Sequence, residues 1–436
     1  DKYHLYRLLD ESLRFSNEEV LYESAISKML VDEDIFVTSE NRYALSMLYF
    51  AEKRILDFFA RRKDEKNRKI IATFDDYLVK KQQTLGFELS DEQKKAVELI
   101  NNGDKTLFLI GYAGTGKSTS SRAILELLEE TMSYDDIMTI ALSGIASQRI
   151  SDTTGYNSST IQSLLMKHKE KDFFPYKAIL LDEASMVNSV TFYQIISKID
   201  DDTIFIIVGD DGQLPAIGAG NVLADAIKYE LAPICKLTKI YRQNENQAIA
   251  VIANDIRKGE VPAYKDEYDD FKFIDVSISN YYALRNSASS NEFADLRGEN
   301  SEYILNNILN ISAEYIEKYY DYIKKKKISK ALTLFQVITP MKAGILGVDN
   351  LNIQLQKLFN HTKGKSFVSK VYEYKLTDKV IHIKNENMKA QTMDMYKNGS
   401  SDFLERRVFN GQLGLIIKLD FEEEKCIVLY PNDDMV

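Results

Sequence analysis

The sequence is 436 residues long, which exceeds one ordinary domain and predicts about two to four of them. Hydrophobic residues make up 44% and charged residues 28%, and no apolar run approaches the ~20 residues that cross a bilayer, so we expect a soluble protein without a membrane partner. The net charge of −10 argues mildly against nucleic acid, although a local track of Lys and Arg would be enough. The start has no apolar signal-peptide core, and Cys235 and Cys426 are too far apart for a metal site, which favours a reducing cytoplasm.

The first 60 residues or so carry apolar side chains at three- and four-residue spacing, a pattern typical of helices. A short β-like break interrupts it at Ile35-Phe36-Val37-Thr38. We predict a helical or winged-helix-like N-terminal domain over residues 1–66. The charged run over residues 61–69 is typical of a solvated helix end or linker, and we predict a linker over residues 67–88.

From Leu89 onward, short apolar runs alternate with helical stretches. The runs are residues 106–110, 138–142, 178–181 and 204–208. Continuous apolar strands separated by helices indicate a parallel sheet covered on both faces, so we predict an α/β domain over residues 89–235. Functional groups in such sheets gather at the carboxyl ends of the strands.

A phosphate-binding loop is the most specific motif in the sequence. Gly111-Tyr112-Ala113-Gly114-Thr115-Gly116-Lys117-Ser118 matches G-x-x-x-x-G-K-S/T in full, directly after a predicted strand and before a helical stretch. The glycines let backbone N–H groups surround a phosphate chain, and the helix N-terminus adds its dipole. We expect Lys117 to bind the β- and γ-phosphates of ATP and Ser118 to ligate Mg²⁺.

Two further motifs end later apolar strands. Asp182 is expected to hold Mg²⁺ and Glu183 to polarise the attacking water. Gln213 lies in Gly209-Asp210-Asp211-Gly212-Gln213-Leu214-Pro215, where an amide can sense the γ-phosphate. A solvated acid pair and a Gly/Asp turn are the alternative interpretations, and the placement after buried strands makes them less favoured.

Together with Tyr241-Arg242-Gln243, these motifs resemble superfamily 1 helicases of the RecD type, the exodeoxyribonuclease V alpha-subunit family. The resemblance implies a P-loop NTPase with RecA-like parallel-sheet motor lobes and an inserted SH3-like β-barrel. It implies a second, partial motor lobe over residues 236–365 and the insertion over residues 366–436, where strand-like runs surround Asn410-Gly411. It also implies that Arg242 is an arginine finger and that Gln93 binds adenine.

The predicted site residues divide into three groups. The residues assigned to catalysis are Lys117, Asp182, Glu183, Gln213 and Arg242. The residues assigned to ATP and Mg²⁺ are Gln93, Gly111, Ala113, Gly114, Thr115, Gly116, Lys117, Ser118 and Thr119, with Ser118 and Asp182 on the metal. The residues that the resemblance assigns to DNA are Ser143, Gly144, Thr160, Thr339, Pro340 and Lys342.

The chain departs from the family pattern at several places. Leu142 and Ile145 replace a usual Pro and basic residue, Gln162 replaces a common His, and the segment 166–175 is short for a strand-splitting hairpin. The family's last two motifs are missing, and the first residue is not Met, so we expect a piece of a longer chain. We therefore expect these residues alone to bind ATP with Mg²⁺, hydrolyse it slowly and respond weakly to DNA.

The resemblance predicts an ATP-dependent helicase or translocase that moves 5′ to 3′ on single-stranded DNA in recombination or repair, with other exonuclease subunits as partners. One alternative is an ATP-binding structural or regulatory subunit that does not move. Another is the helicase part of a conjugative relaxase, for which the four scattered His give no metal site.

Overall fold

The computed structural model describes residues 19–39, 42–239, 248–262, 270–274, 290–362, 364, 366–369, 372–423 and 425–431. The chain separates into two compact units, Asp1–Asp270 and Phe271–Val436. The first unit takes in both the predicted N-terminal domain and the predicted first lobe. The five-segment division made from the sequence stays a prediction.

The described part of the first unit begins with a helix, a β-hairpin and a second helix, which confirms the β-like break at residues 35–38. Its helices are α1 (Glu19–Val31), α2 (Ser46–Arg62), α3 (Phe74–Leu85), α4 (Asp91–Asn101), α5 (Lys117–Leu128), α6 (Gly144–Thr154), α7 (Ile161–Lys167), α8 (Ser189–Ile196), α9 (Val222–Lys228) and α10 (Ala248–Lys258). Its strands are β1 (Ile35–Ser39), β2 (Arg42–Leu45), β3 (Thr106–Gly111), β4 (Ile137–Ala141), β5 (Ser158–Thr160), β6 (Ala178–Leu181), β7 (Ile204–Gly209) and β8 (Ile234–Leu237).

Six of these strands form one sheet in the order β5-β4-β6-β7-β3-β8, and every pairing in it is parallel. The four apolar runs identified in the sequence are the four central strands, so that prediction is confirmed. With the phosphate-loop motif after β3, the first unit has the α/β fold of a P-loop NTPase.

The sheet separates two hydrophobic layers because successive side chains of a strand point to opposite faces. Phe108 packs on one face with Phe58 and Phe59 of α2, whereas Leu107 packs on the other face with helices α4 and α5. Helix α2 therefore contributes to the core of the parallel-sheet domain.

Arg62, the last residue of α2, joins that helix to the amino-terminal end of the sheet. Its guanidinium is 3% exposed and donates to Thr106 Oγ1 at 3.0 Å and to Lys105 O at 3.0 Å. It also donates to three carbonyl oxygens of the turn before β7, at residues 200, 201 and 203. Burial lowers the pKa of Arg62, and the surrounding acceptors satisfy its donors.

The second unit starts with helices and continues with short strands. Its helices are α11 (Ser290–Ala313), α12 (Ile316–Lys324), α13 (Ile328–Leu332), α14 (Val348–Phe359) and α15 (Met393–Lys397). Its strands are β9 (Phe367–Ser369), β10 (Tyr372–Tyr374), β11 (Lys379–Ile381), β12 (Glu386–Ala390), β13 (Leu404–Val408), β14 (Leu413–Asp420) and β15 (Lys425–Leu429).

All strand pairings described in the second unit are antiparallel, in sheets β9-β10, β12-β13 and β11-β14-β15. The β character predicted after residue 366 is confirmed, and its SH3-like barrel form stays a prediction. The residues described between 271 and 362 contain no strand, so a second parallel sheet is not seen there. No helix in the described parts of either unit is long and apolar enough to span a bilayer.

Candidate active site

The phosphate loop connects β3 to α5, as the sequence predicts. Gly114 and Gly116 have φ angles of +84° and +86°, a region that L side chains rarely adopt, which is why the loop needs glycine there. A Cβ on Gly111 would lie 2.5 Å from Thr115 Oγ1, so this position also excludes a side chain. Thr115 Oγ1 donates to Tyr112 O at 2.8 Å and closes the loop.

Lys117 begins α5 and lies over its own loop. Its Nζ donates to Gly111 O at 2.6 Å and to Tyr112 O at 3.1 Å. Burial lowers the pKa of Lys117, against the opposing charges of Asp210, Glu183 and Asp182. This cation is therefore close to all three acids and is held where a phosphate chain would enter the loop.

Asp182 and Glu183 follow β6 directly. Glu183 has φ +53°, a left-handed conformation that costs free energy in a non-glycine residue and is concentrated at functional sites. Its N–H donates to Asp182 Oδ1 at 2.9 Å. Burial, with the Glu183 charge adding to it, raises the pKa of Asp182 above its usual value, although Lys117 and Arg149 act in the opposite direction.

The loop after β7 completes the arrangement. A Cβ on Gly209 would lie 2.5 Å from Leu223 Cδ2, so the strand ends in a residue without a side chain. Asp210 is 3% exposed, and Gln213 N–H donates to its carbonyl oxygen at 3.3 Å. Ser185 Oγ donates to Gln213 Oε1 at 3.4 Å, which links this loop to the one after β6.

Strand order explains why these three loops meet. Strands β6, β7 and β3 are neighbours, with Leu181 opposite Ile207 and Ile110 opposite Gly209, so their carboxyl ends form one edge. The structure thus brings together four of the five residues assigned to catalysis. Arg242, the fifth, lies outside the described residues.

The residues present fit a divalent cation. Asp182 supplies a carboxylate at the end of β6, and burial raises its pKa. Ser118 stands in the first turn of α5, beside the loop in which phosphate oxygens would complete an oxygen-ligand set. No group of three or more His, Cys, Asp and Glu suited to a metal was found in the described ranges, and a Mg²⁺ bound mainly through phosphates does not need one.

Gln93 stands in the first turn of α4 and takes part in its N-terminal cap. Its Oε1 accepts the N–H of Ser90 at 2.9 Å while its own N–H donates to Ser90 Oγ at 3.3 Å. The side chain is 3% exposed. The cap holds the amide in one position, and its assignment to adenine stays a prediction.

Of the predicted DNA residues of the first unit, Ser143 and Thr160 are helix N-caps and Gly144 is the first residue of α6, all at the same edge of the sheet. Ser143 Oγ accepts Ala146 N–H at the start of α6, and Thr160 Oγ1 accepts Ser163 N–H at the start of α7. Gly144 and Thr160 are buried, whereas Ser143 is exposed. The structure therefore assigns Thr160 a capping role that does not itself involve DNA.

In the second unit, Thr339, Pro340 and Lys342 form one turn. Thr339 Oγ1 donates to Leu346 O at 2.7 Å, and Asp349 N–H donates to Lys342 O at 3.2 Å. The Lys342 side chain is exposed. Contact of these residues with DNA stays a prediction.

The segment 166–175 forms no hairpin, because α7 ends at Lys167 and no strand begins before Ala178.

One residue at the site was not predicted from the sequence. Arg257 of α10 pairs with Asp210 and lies over the Tyr112 ring. It stands 47 positions after Asp210 in a helix without any recognised motif, so no sequence signal pointed to it.

Comparison with known proteins agrees with this geometry. A family model described as an AAA domain matches residues 88–277. The ATP-dependent RecD2 DNA helicase of Deinococcus radiodurans is 27% identical over 396 residues, which cover 88% of this chain and 45% of that protein. The RecBCD enzyme subunit RecD of Buchnera aphidicola is 25% identical over 320 residues, 60% of this chain and 50% of that one.

A probable conjugal transfer protein TraA of Sinorhizobium fredii is 33% identical over 188 residues, which cover 41% of this chain and 16% of TraA. The chain spans about half the length of the RecD2 and RecD relatives described above. The phosphate loop, the acid pair after β6 and the Gln213 loop lie at one edge of a parallel sheet. They accompany a similarity to RecD-type helicases over most of the chain, at identities of 27% and 25%.

Proposed function

We propose that this chain is the ATP-hydrolysing motor of a DNA helicase or translocase that moves on single-stranded DNA. The observation that carries the proposal is the meeting of Lys117, Asp182, Glu183 and Gln213 at the carboxyl ends of three adjacent strands. Such an edge combines a cation that can bind phosphate, a carboxylate that can ligate Mg²⁺ and a carboxylate that can polarise water.

Each residue has one role in the proposed reaction. Lys117 leaves its own loop carbonyls and binds the β- and γ-phosphates, and the neighbouring loop N–H groups surround the chain of phosphates. Ser118 and Asp182 would hold Mg²⁺, which neutralises phosphate charge when bound. Glu183 orients and polarises the attacking water, and Gln213 detects whether the γ-phosphate is present.

Hydrolysis drives movement when the grip on a strand changes with the nucleotide. The hydrogen bond from Ser185 to Gln213 links the loop that holds the acids to the loop that senses phosphate. We propose that a DNA phosphate binds at the start of α6, at the same sheet edge, where Ser143 is exposed and the buried Gly144 begins the helix. We further propose 5′ to 3′ movement, a role in recombination or repair, and assembly with other exonuclease subunits, as the RecBCD name of one relative suggests.

The two alternatives make different demands. A non-hydrolysing subunit would not need Glu183 in a strained conformation beside the phosphate loop. A relaxase would need a nicking domain, and the similarity to TraA covers only 16% of that protein. Neither alternative is favoured by an observation of its own.

The experiment measures binding of a fluorescent ATP analogue and hydrolysis of Mg-ATP by the wild-type chain and by Lys117→Ala. We expect the variant to lose at least about 100-fold in nucleotide affinity or turnover, because the cation on the β- and γ-phosphates is gone. Lys228→Ala is the matched control, since Lys228 is an exposed lysine of the same unit. Equal nucleotide affinity and turnover in all three proteins would refute the ATP site.

Single-stranded DNA is tested separately. A labelled oligonucleotide should bind more tightly than its duplex form, with an affinity that falls steeply as salt rises. Tailed duplexes with a 5′ or a 3′ overhang then test the direction of movement. If the chain hydrolyses ATP but binds neither form of DNA, the ATPase assignment stands and the proposed movement on DNA is refuted.

A further inference from the structure

One arginine connects the phosphate loop to the loop after β7. The guanidinium carbon of Arg257 lies 3.4 Å from the centroid of the Tyr112 ring, and Tyr112 is the second residue of the phosphate loop. Arg257 Nη2 donates to Asp210 Oδ1 and lies 3.7 Å from Asp211 Oδ1. Stacking on the ring and pairing with a carboxylate use both properties of a guanidinium, its flat face and its N–H groups.

Neighbouring residues hold the Arg257 side chain in this position. Its side chain is 21% exposed and that of Asp210 is 4% exposed, so the ion pair is largely shielded from solvent. Gly212 N–H donates to the same Asp210 oxygen at 3.0 Å. A Cβ on Gly212 would overlap the guanidinium of Arg257, so the loop accommodates this arginine only because residue 212 is glycine.

Two cations, Lys117 and Arg257, therefore lie beside the phosphate loop. The charge of Arg257 contributes to the lowered pKa of Lys117, after burial, and the two side chains repel each other across the loop. Asp210 now offsets that repulsion. The phosphates of ATP carry more negative charge than one carboxylate, so their arrival changes which anion Arg257 binds best.

We propose that Arg257 senses the γ-phosphate of ATP, leaving Asp210 and the Tyr112 ring to bind it. This proposal rests on the ATP site proposed above and adds to it a second arginine besides Arg242. With ADP or without nucleotide, Arg257 stays in the position seen in the structure. With ATP it releases Asp210, whose carbonyl holds Gln213 N–H, and so passes the nucleotide state to the Gln213 loop.

The first experiment follows the Tyr112 ring. The sequence contains no Trp, so Tyr112→Trp introduces a single indole under Arg257. Titration of this protein with Mg-ATPγS should change the indole emission by loss of the stacked guanidinium, and Mg-ADP should change it much less. In the double variant Tyr112→Trp, Arg257→Gln the two nucleotides should give equal changes. A response of the single variant that does not distinguish the nucleotides would overturn the proposal.

The second experiment measures affinity. Arg257→Gln should weaken ATPγS about 10-fold, the loss expected for one charge-assisted hydrogen bond, and ADP by less than about 2-fold. Retained ADP binding shows that the variant is folded. Lys258→Gln is the control, because it removes the same charge from an exposed neighbour on α10. Equal losses for both nucleotides, or none for either, would overturn the proposal.

Arg257→Lys decides the question if the Gln variant does not fold. Lysine keeps the charge but cannot stack and fork in the same way, so a loss of about 3-fold for ATPγS alone is expected. An unchanged ratio of the two affinities would contradict the role of Arg257. Two measurements separate this proposal from the ATP site. Lys117→Ala should lose binding of both nucleotides, whereas Arg257→Gln should lose mainly ATPγS. A wild-type chain that binds neither nucleotide would refute the ATP site itself.

Discussion

The two ends of the parallel sheet differ in how their charged groups are hydrogen-bonded within the protein. At the amino-terminal end, Arg62 donates to a hydroxyl and four carbonyl oxygens while nearly fully buried. At the carboxyl end, Asp182 accepts an N–H from its neighbour Glu183, burial raises its pKa, and Glu183 has a left-handed backbone conformation. The first end is built for stability, and the second keeps charges available for a ligand.

The difference shows how one sheet can serve both purposes. Backbone carbonyls at the amino-terminal end are satisfied within the protein, which stabilises the fold. The loops at the carboxyl end bring several acids together and hold Glu183 in a left-handed backbone conformation, which lowers stability and is tolerated because the core on both faces holds the strands. Substitutions at the two ends should therefore have opposite effects on stability and activity.

The largest expected effect is on turnover, at the carboxyl end. Glu183→Gln should reduce the rate of ATP hydrolysis by a factor of about 10³, because the carboxylate that polarises water is lost. Nucleotide affinity should stay within about 3-fold, since Glu183 holds no phosphate in the proposed mechanism. Single-turnover hydrolysis and equilibrium binding measure the two quantities. Glu98→Gln, an exposed change on α4, is the control, and a normal rate in Glu183→Gln would show that another group activates the water.

The amino-terminal end should respond in stability. Arg62→Ala should lower the free energy of unfolding by about 3 kcal/mol, because buried carbonyl oxygens lose their donor. Thermal unfolding should show a fall in Tm of about 6 °C or more, with nucleotide affinity of the folded protein unchanged. Arg61→Ala is matched to it, since Arg61 is exposed and lies 3.7 Å from Asp201. Its Tm should change by about 1 °C at most. Similar Tm values for both variants would mean that Arg62 does not hold this end.

The sequence predicted the carboxyl end better than the amino-terminal end. The phosphate loop, the acid pair and the Gln213 loop each follow an apolar run, and strand order in a parallel sheet then brings them to one edge. The contacts of Arg62 with residues 105, 106 and 200–203 depend on long-range packing, and the charged run after residue 60 pointed to a solvated surface instead. Arg257 was missed for the same reason, because only the fold brings α10 to Asp210.

The second unit was predicted in its β character and not in its arrangement. Alternating apolar residues around Asn410-Gly411 mark strands, yet nothing local determines which strands pair. The structure pairs β14 with both β11 and β15 and pairs β12 with β13 in a separate two-stranded sheet. Sequence patterns report local periodicity, whereas sheet order depends on packing between distant segments.

The smallest expected effect tests the difference between the two ends of the sheet most directly. We expect a substitution in the proposed active site to stabilise the fold. Asp182→Asn keeps an oxygen that can accept the N–H of Glu183 and removes a buried charge, so without nucleotide the Tm should rise by about 2 °C. The pKa of Asp182 is raised by burial, so its charge lowers stability only where the carboxyl is ionised. As the pH falls through that raised pKa, wild-type Asp182 takes up a proton, and the Tm advantage of the variant should disappear.

Mg-ATP should reverse the order of the two Tm values at neutral pH, since the wild-type carboxylate then gains a cation and the variant does not. Asp225→Asn, an exposed change in the first turn of α9, should show neither the gain nor the reversal. A lower Tm for Asp182→Asn at neutral pH without nucleotide would mean that the charges at the carboxyl end are already matched within the protein.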